Sequence, residues 1–450
     1  MWPSLDRASL EMMVARPPHL GIEVRELGKT EGGFLPDVAD CQQLLEQYAR
    51  FDPAVFANPY GLFARLRSEE PVCWCETLEC WLITRYDDVA SALRDPRFSS
   101  SRINALVNQL PYETREQVEP LRQYLAKFMG ISDPPDHTRI RSLVNKAFSS
   151  RVVETMGPRI QRIVDELLDA VEPAGQMDII QDFAYLLPVT VIAEILGLPA
   201  EDQKEFKRWS DDIVGFISSG RGLVDLAQRA QNSMMELTNY YRDIIAERRR
   251  QPREDLISKL IVAEEQEDRL TEEELLATCV TLLAGGHETT THLIAGGMLA
   301  LLRNPEQLQV LRCDRSAIVS GVEELLRYET PVQRGERVAA DHIELRGRRI
   351  RKGQRVFLVV AAANRDESQF PEADRLDVRR HPNRHMAFGF GIHFCVGAIL
   401  ARAEGQIAIG TLLRRLREPT LAAQTLEYQQ TLAIRGLKSL TINFEPRGGS

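Results

Sequence analysis

Apolar positions along this chain recur mostly every three or four residues, the period of helices with one buried face. Ile160, Ile163, Val164, Leu167, Leu168 and Val171 trace one such face, and long helical patterns cover roughly 201–218, 223–250, 272–303 and 396–414. Asn58-Pro59 predicts a helix start, with Asn as cap and Pro in the first turn, leading into Leu62, Phe63 and Leu66. Strand-like runs cluster near 71–84, 336–360 and the C-terminus. The pattern predicts a mainly α protein with small β-sheets. Residues 1–45 lack a clear period and contain Pro17-Pro18 and Gly32-Gly33, so they read as a loosely ordered N-terminal extension, with 46–450 as a single catalytic domain.

With 450 residues, 44% of them hydrophobic, the chain can bury a large core. Its formal charge of −9 argues against nucleic-acid binding, which relies on basic surfaces to displace counterions. The most apolar stretch, 184–200, carries Pro188 and Glu194 and falls short of the roughly 20 residues of a bilayer span. The N-terminus has no signal-peptide apolar core, so cytoplasmic residence without a membrane anchor is expected. Seven cysteines, an odd number in a long chain, do not look like a disulfide framework. Three lie in CWCETLEC, 73–80, and could suggest a soft-metal site, but no second ligand pair lies nearby. Trp74 alternates with Cys73 and Cys75 ahead of a second β-like run, Trp81–Thr84, which reads as a hairpin.

Chemistry concentrates in AFGFGIHFCVGAIL, 387–400. A thiolate is stabilised by backbone N–H donors and by the positive end of a helix, and Cys395 precedes a helix-like run. Gly389 and Gly391 permit backbone conformations closed to other residues and close approach to a flat ligand. One cysteine with no partner ligands in the loop calls for a metal whose coordination is already largely filled, a description that haem meets. The run Phe388-Gly-x-Gly-x-His393-x-Cys395-x-Gly397 resembles the haem-ligand signature of the cytochrome P-450 superfamily, in which a cysteine thiolate is the proximal ligand of haem.

Three further segments carry the same resemblance. Glu324-Leu-Leu-Arg327 matches the family's E-x-x-R pair, and FPEADRLDVRR, 370–380, matches the meander whose arginine, here Arg380, completes that structural cluster; Leu376 stands where Phe is commoner. LLAGGHETTTH, 282–292, could mark zinc, but His287 and His292 are five residues apart, about 140° around a helix, and cannot share a metal. Taken alone, its glycine pair reads as close helix packing, with oxygen chemistry as the alternative. The resemblance implies the second: Gly285 opens the helix against haem, Thr289 hydrogen-bonds the dioxygen to be activated, and Glu288 relays protons. In DPPDHTRIRSLVNKAF, 133–148, His137 and Arg141 match the family's propionate-binding pair, with Arg337 and His393 as further donors for the two carboxylates.

The resemblance covers about 50–445 and is to the soluble bacterial branch. It implies the cytochrome P-450 fold, a helical lobe with a smaller β-rich region and haem b between the distal and cysteine-loop helices. The implied activity is O2- and electron-dependent hydroxylation or epoxidation of a lipophilic small molecule in secondary metabolism, by a monomer. Electrons would come from NAD(P)H through a separate ferredoxin or flavodoxin type donor and its reductase. That donor would dock on the proximal face near Arg375, Arg379, Arg380 and Arg384. Ala284 and Val332, with stretches 100–125, 176–220 and 431–436, are the expected substrate contacts. Alternatives are a peroxide-using or non-oxygenating family member and, in another class, a haem-binding sensor or carrier without turnover.

Overall fold

The computed structural model describes residues 40–446, apart from 149, 220–222 and 266–269. The helices that build the interior are α1 (Cys41–Ala49), α2 (Tyr60–Glu69), α3 (Asp136–Ala147), α4 (Ser150–Val171), α5 (Leu186–Leu196), α6 (Gln203–Ser219), α7 (Val224–Arg250), α8 (Glu272–Arg303), α9 (Ile318–Tyr328) and α10 (Ala398–Arg415). The strands are β1 (Val72–Cys75), β2 (Cys80–Ile83), β3 (Phe98–Ser99), β4 (Gln176–Asp178), β5 (Gly335–Ala339), β6 (Ile343–Leu345), β7 (Arg348–Ile350), β8 (Arg355–Leu358), β9 (Arg417–Leu421) and β10 (Thr441–Glu445). They form a sheet of order β1-β2-β8-β5-β3, a second of order β4-β10-β9, and the hairpin β6-β7. This is the expected helical lobe with a smaller β-rich region.

The helical patterns fold as their periods predict. Ile160, Ile163, Val164, Leu167 and Leu168 are buried on the face of α4 that meets α10, while Val171 at the helix end is half-buried. Helix α8 crosses the middle of the lobe against α5, α6, α7, α9 and α10. Its start is fixed by a capping box: Glu274 N–H donates to Thr271 Oγ1 at 3.2 Å, and Thr271 N–H to Glu274 Oε2 at 2.8 Å. The apolar stretch from Ile179 to Leu196 is long enough to pass for a membrane span, but 72% of it is buried inside the fold, as a core helix is.

Two boundaries move. Most of the predicted N-terminal extension lies outside the described residues, but 41–45 do not belong to it, since Cys41, Leu44 and Leu45 are buried in α1 and pack with Leu62, Phe63 and Leu66 of α2. Asn58 does not cap α2; Pro59 takes the cap position, with helical backbone angles and its carbonyl accepting from Phe63 N at 2.9 Å. The CWCETLEC segment is the hairpin β1-β2, with Cys75 opposite Cys80. Among the described residues no group of His, Cys, Asp and Glu side chains is arranged to hold a metal ion.

Candidate functional site

The loop before α10 brings Cys395 to one wall of a cavity of about 330 Å³, whose opposite wall is α8. The loop is shaped by its backbone. Gly389 and Gly391 have φ of 70° and 74°, and a Cβ on Gly391 would also lie 3.0 Å from the Leu93 carbonyl oxygen. Cys395 N–H donates to the Phe388 carbonyl at 2.9 Å, closing the turn. Cys395 counts as exposed, yet the surrounding protein pushes its thiol pKa up; the two agree because its accessible surface is cavity wall. The Gly397 N–H and the charges of Arg141 and Arg402 pull the other way, toward thiolate.

On the facing wall, the two glycines of α8 divide the readings between them. A Cβ on Gly286 would lie 2.9 Å from Ile192, so this glycine serves packing against α5. A Cβ on Gly285 would meet nothing within 4 Å, because that position faces the cavity. The Thr289 hydroxyl, also in the cavity wall, donates to the Gly285 carbonyl at 3.2 Å. Glu288 is half-buried and turned away from the cavity toward α6. Burial, then the like charge of Asp211, raises its pKa to about 7 against the opposing charge of Lys207, and its Oε2 has no hydrogen-bond partner. Val332 lines the cavity, but Ala284 is packed in the helix interior outside it. Of the stretches expected to face substrate, Ile192 reaches the wall, and Phe148 and Thr281 do so unforeseen.

The rim carries hydrogen-bond donors that are only partly answered among the described residues. Arg337, on β5, lines the cavity with no carboxylate ion pair among the described residues and donates to the Glu336 carbonyl at 2.8 Å. Burial, then the neighbouring charge of Arg102, lowers its pKa to about 10. Glu336 is already shared by Arg334 at 3.2 Å, Arg355 at 2.7 Å and Arg102 at 4.0 Å. His137 is buried with neither ring nitrogen bonded, and its ring lies 4.1 Å from that of His393. His393 Nε2 lies 3.0 Å from the Ser100 hydroxyl. Arg141, half-buried, donates to Asn145 Oδ1 at 3.1 Å, with no ion pair among the described residues. Buried donors of this kind cost stability unless an anion answers them. A flat ligand with two carboxylates at its edge and an open axial position fits this donor set.

Glu324, Arg327 and Arg380 meet in one buried cluster. Arg327 Nε donates to Glu324 Oε2 at 2.7 Å with both side chains fully buried, and Arg327 also binds the carbonyls of Asn364, Ala373 and Arg375. Arg380 Nε donates to Glu324 Oε1 at 3.1 Å, and Asn383, which carried no sequence signal, donates to Oε2 at 3.1 Å. Arg380 is therefore committed to this cluster and does not belong to a surface patch. His287 and His292 do not converge: His287 Nδ1 bonds the Leu283 carbonyl at 2.9 Å, while His292 packs against Gly436.

The family model for cytochrome P450 matches residues 72–431. The chain belongs to the cytochrome P450 family. The P450 PksS of polyketide biosynthesis in Bacillus subtilis is 38% identical over 395 residues, covering 86% of this chain and 96% of the relative. The P450 monooxygenase PikC of Streptomyces venezuelae is 40% identical over 421 residues, covering 91% and 95%. Among solved structures, P450BioI in complex with acyl carrier protein carrying hexadec-9Z-enoic acid superimposes with a TM-score of 0.81 at 36% identity, covering 89% of this chain and all of the other. This P450 is a haem-thiolate monooxygenase of the soluble bacterial type, using haem and electrons from a redox partner. Its relatives are named as monooxygenases and hydroxylases, which disfavours both the peroxide-using reading and the sensor or carrier.

Proposed function

We propose that this P450 oxygenates a lipophilic secondary metabolite in the cytoplasm with haem b, which Cys395 would hold through its thiolate and His137, Arg141, Arg337 and His393 would hold at the propionates. The reading is carried by one observation: a thiol and a helix hydroxyl face each other across an apolar cavity lined by the buried guanidinium of Arg337, with the unbonded ring of buried His137 packed against His393 beside it. When bound, haem supplies the iron centre for one-electron and O2 chemistry, and thiolate ligation favours O–O cleavage. The residues do the rest. The apolar wall excludes water and accepts a lipophilic substrate, of the polyketide class in whose biosynthesis PksS is named or of the fatty-acid class bound by P450BioI's carrier. Thr289 holds its hydroxyl proton at the cavity face of α8, and Glu288 stores a proton behind it toward α6.

Electrons from NAD(P)H would arrive through a ferredoxin-type donor on the face carrying the cysteine loop. There Arg94 and Arg384 are exposed around a surface groove with Phe390, and Ile392 and Ile399 stand exposed nearby. Arg375 and Arg379 are exposed but answered by Glu372 at 3.1 Å and Asp314 at 2.9 Å.

The test is spectroscopic. The reduced protein with carbon monoxide should show the red-shifted Soret band of thiolate-ligated haem, unchanged by serine at Cys73, Cys75 or Cys80 and lost in Cys395→Ser. Persistence of that band in Cys395→Ser would remove the central assignment.

A further inference from the structure

Two successive glutamates on α9 have different duties. Glu324 holds Arg327 and the meander, while Glu323 turns to the segment that carries Cys395. Its carboxylate takes a two-point ion pair from Arg402, Nε to Oε1 at 2.7 Å and Nη2 to Oε2 at 2.9 Å. The same Oε2 lies 3.1 Å from His385 Nε2. His385 Nδ1 accepts the Ala387 N–H at 3.2 Å, so the ring proton sits on Nε2 and points at Glu323. Burial by itself would raise the Glu323 pKa, but the bonds from His385 and Arg402 hold it down at about 2, which fixes its negative charge at any working pH.

Both partners of Glu323 flank the cysteine. His385 stands ten residues before Cys395 at the entry to the loop, and Arg402 seven residues after it on α10. The Arg402 guanidinium also lies over the Phe388 ring, 4.5 Å from its centre, and Phe388 is the residue whose carbonyl receives the Cys395 N–H. Arg402 is thus held at one place beside the loop. Its charge is one of two cationic charges that act on the Cys395 sulfur, Arg141 being the other. A cation near a thiolate draws electron density away from the metal that the thiolate binds, and a carboxylate paired with that cation gives part of it back. Anchoring alone is already provided next door, where Glu324 receives Arg327, Arg380, Asn383 and the Asp377 N–H.

We propose that Glu323, Arg402 and His385 form a positioning unit that sets how strongly the Cys395 thiolate donates to the haem iron. Arg402 weakens that donation, Glu323 restores it by neutralising Arg402, and His385 fixes the carboxylate between them. This tuning rests on Cys395 as the haem ligand of the monooxygenase reading.

The experiment uses the full-length haem-loaded protein and reads two quantities that need no substrate: the ferric/ferrous reduction potential and the C–O stretching frequency of the reduced carbon monoxide complex. Weaker thiolate donation raises both. Glu323→Gln keeps the shape of the side chain and its acceptor oxygen but removes the counter-charge, so both should rise. Arg402→Gln removes the cation, so both should fall. The ferric-to-ferrous equilibrium constant should move by about threefold or more in each direction. The double variant, a neutral pair in place of an ion pair, should return close to wild type, and Arg402→Lys, which keeps the charge, should shift less than Arg402→Gln. Shifts of the same sign in the two single variants would overturn the proposal, since a brace lost from either side loosens the loop in the same way. So would no shift in either, or failure of both to take up haem, which would assign the three residues to the framework. A wild type that forms no thiolate-type carbon monoxide band would instead sink Cys395 as the ligand.

Discussion

Cys395 was legible in the sequence because everything it needs is local: two glycines with positive φ, a turn closed onto Phe388, and a helix start within three residues. Thr289 was legible only as part of a pattern, since the neighbouring glycines serve different ends and spacing could not say which one opened onto the cavity. Ser100, Asn383 and Glu404 carried no signal. A glutamate inside a helix looks solvated until the partner helix is in place, and Glu404 is buried in the cavity wall opposite α8, more than 100 residues upstream. Thr289→Ala should fold and bind haem, since Ala is the better helix former by a few tenths of a kcal/mol and the lost bond is local to its own helix. It should still consume NAD(P)H but form less product per reducing equivalent; unchanged coupling would place the proton route elsewhere.

Helix α9 and the meander after β8 depend on one another. Arg327 and Glu324 lie one turn apart on α9, a spacing that sequence shows in many helices, and its meaning came from position ahead of the cysteine loop. The structure adds the cost of failure: with both side chains fully buried, removing one strands the other's charge, worth about 3–5 kcal/mol. Glu324→Ala should lose that much in denaturant unfolding and fail to retain haem, whereas Arg375→Ala, whose side chain pairs only with exposed Glu372, should change stability by under about 1 kcal/mol. Soluble, fully loaded Glu324→Ala would end the anchoring role. Helix ends were less legible than helix faces, because Pro59 and α1 are placed by neighbours that the local pattern does not contain.

Across the whole molecule, charge is negative overall, −9, yet the face carrying the cysteine loop presents Arg94 and Arg384 beside exposed Ile392 and Ile399. Reversing both arginines to glutamate should raise the KM for an acidic ferredoxin by about tenfold at low salt, with the difference shrinking as salt screens it. The carbon monoxide spectrum should not change. One further consequence follows from the main sheet. Strand β2 pairs in parallel with β8, Cys80 opposite Arg355, and β5, which carries Arg337, lies between β8 and β3 and is linked to the β1-β2 hairpin through β8. During synthesis the N-terminal hairpin therefore emerges long before its neighbour exists, with one edge unpaired and apolar. Closing that span is a costly, late event, so Arg337 takes its place in the cavity wall only after β8 has joined the hairpin.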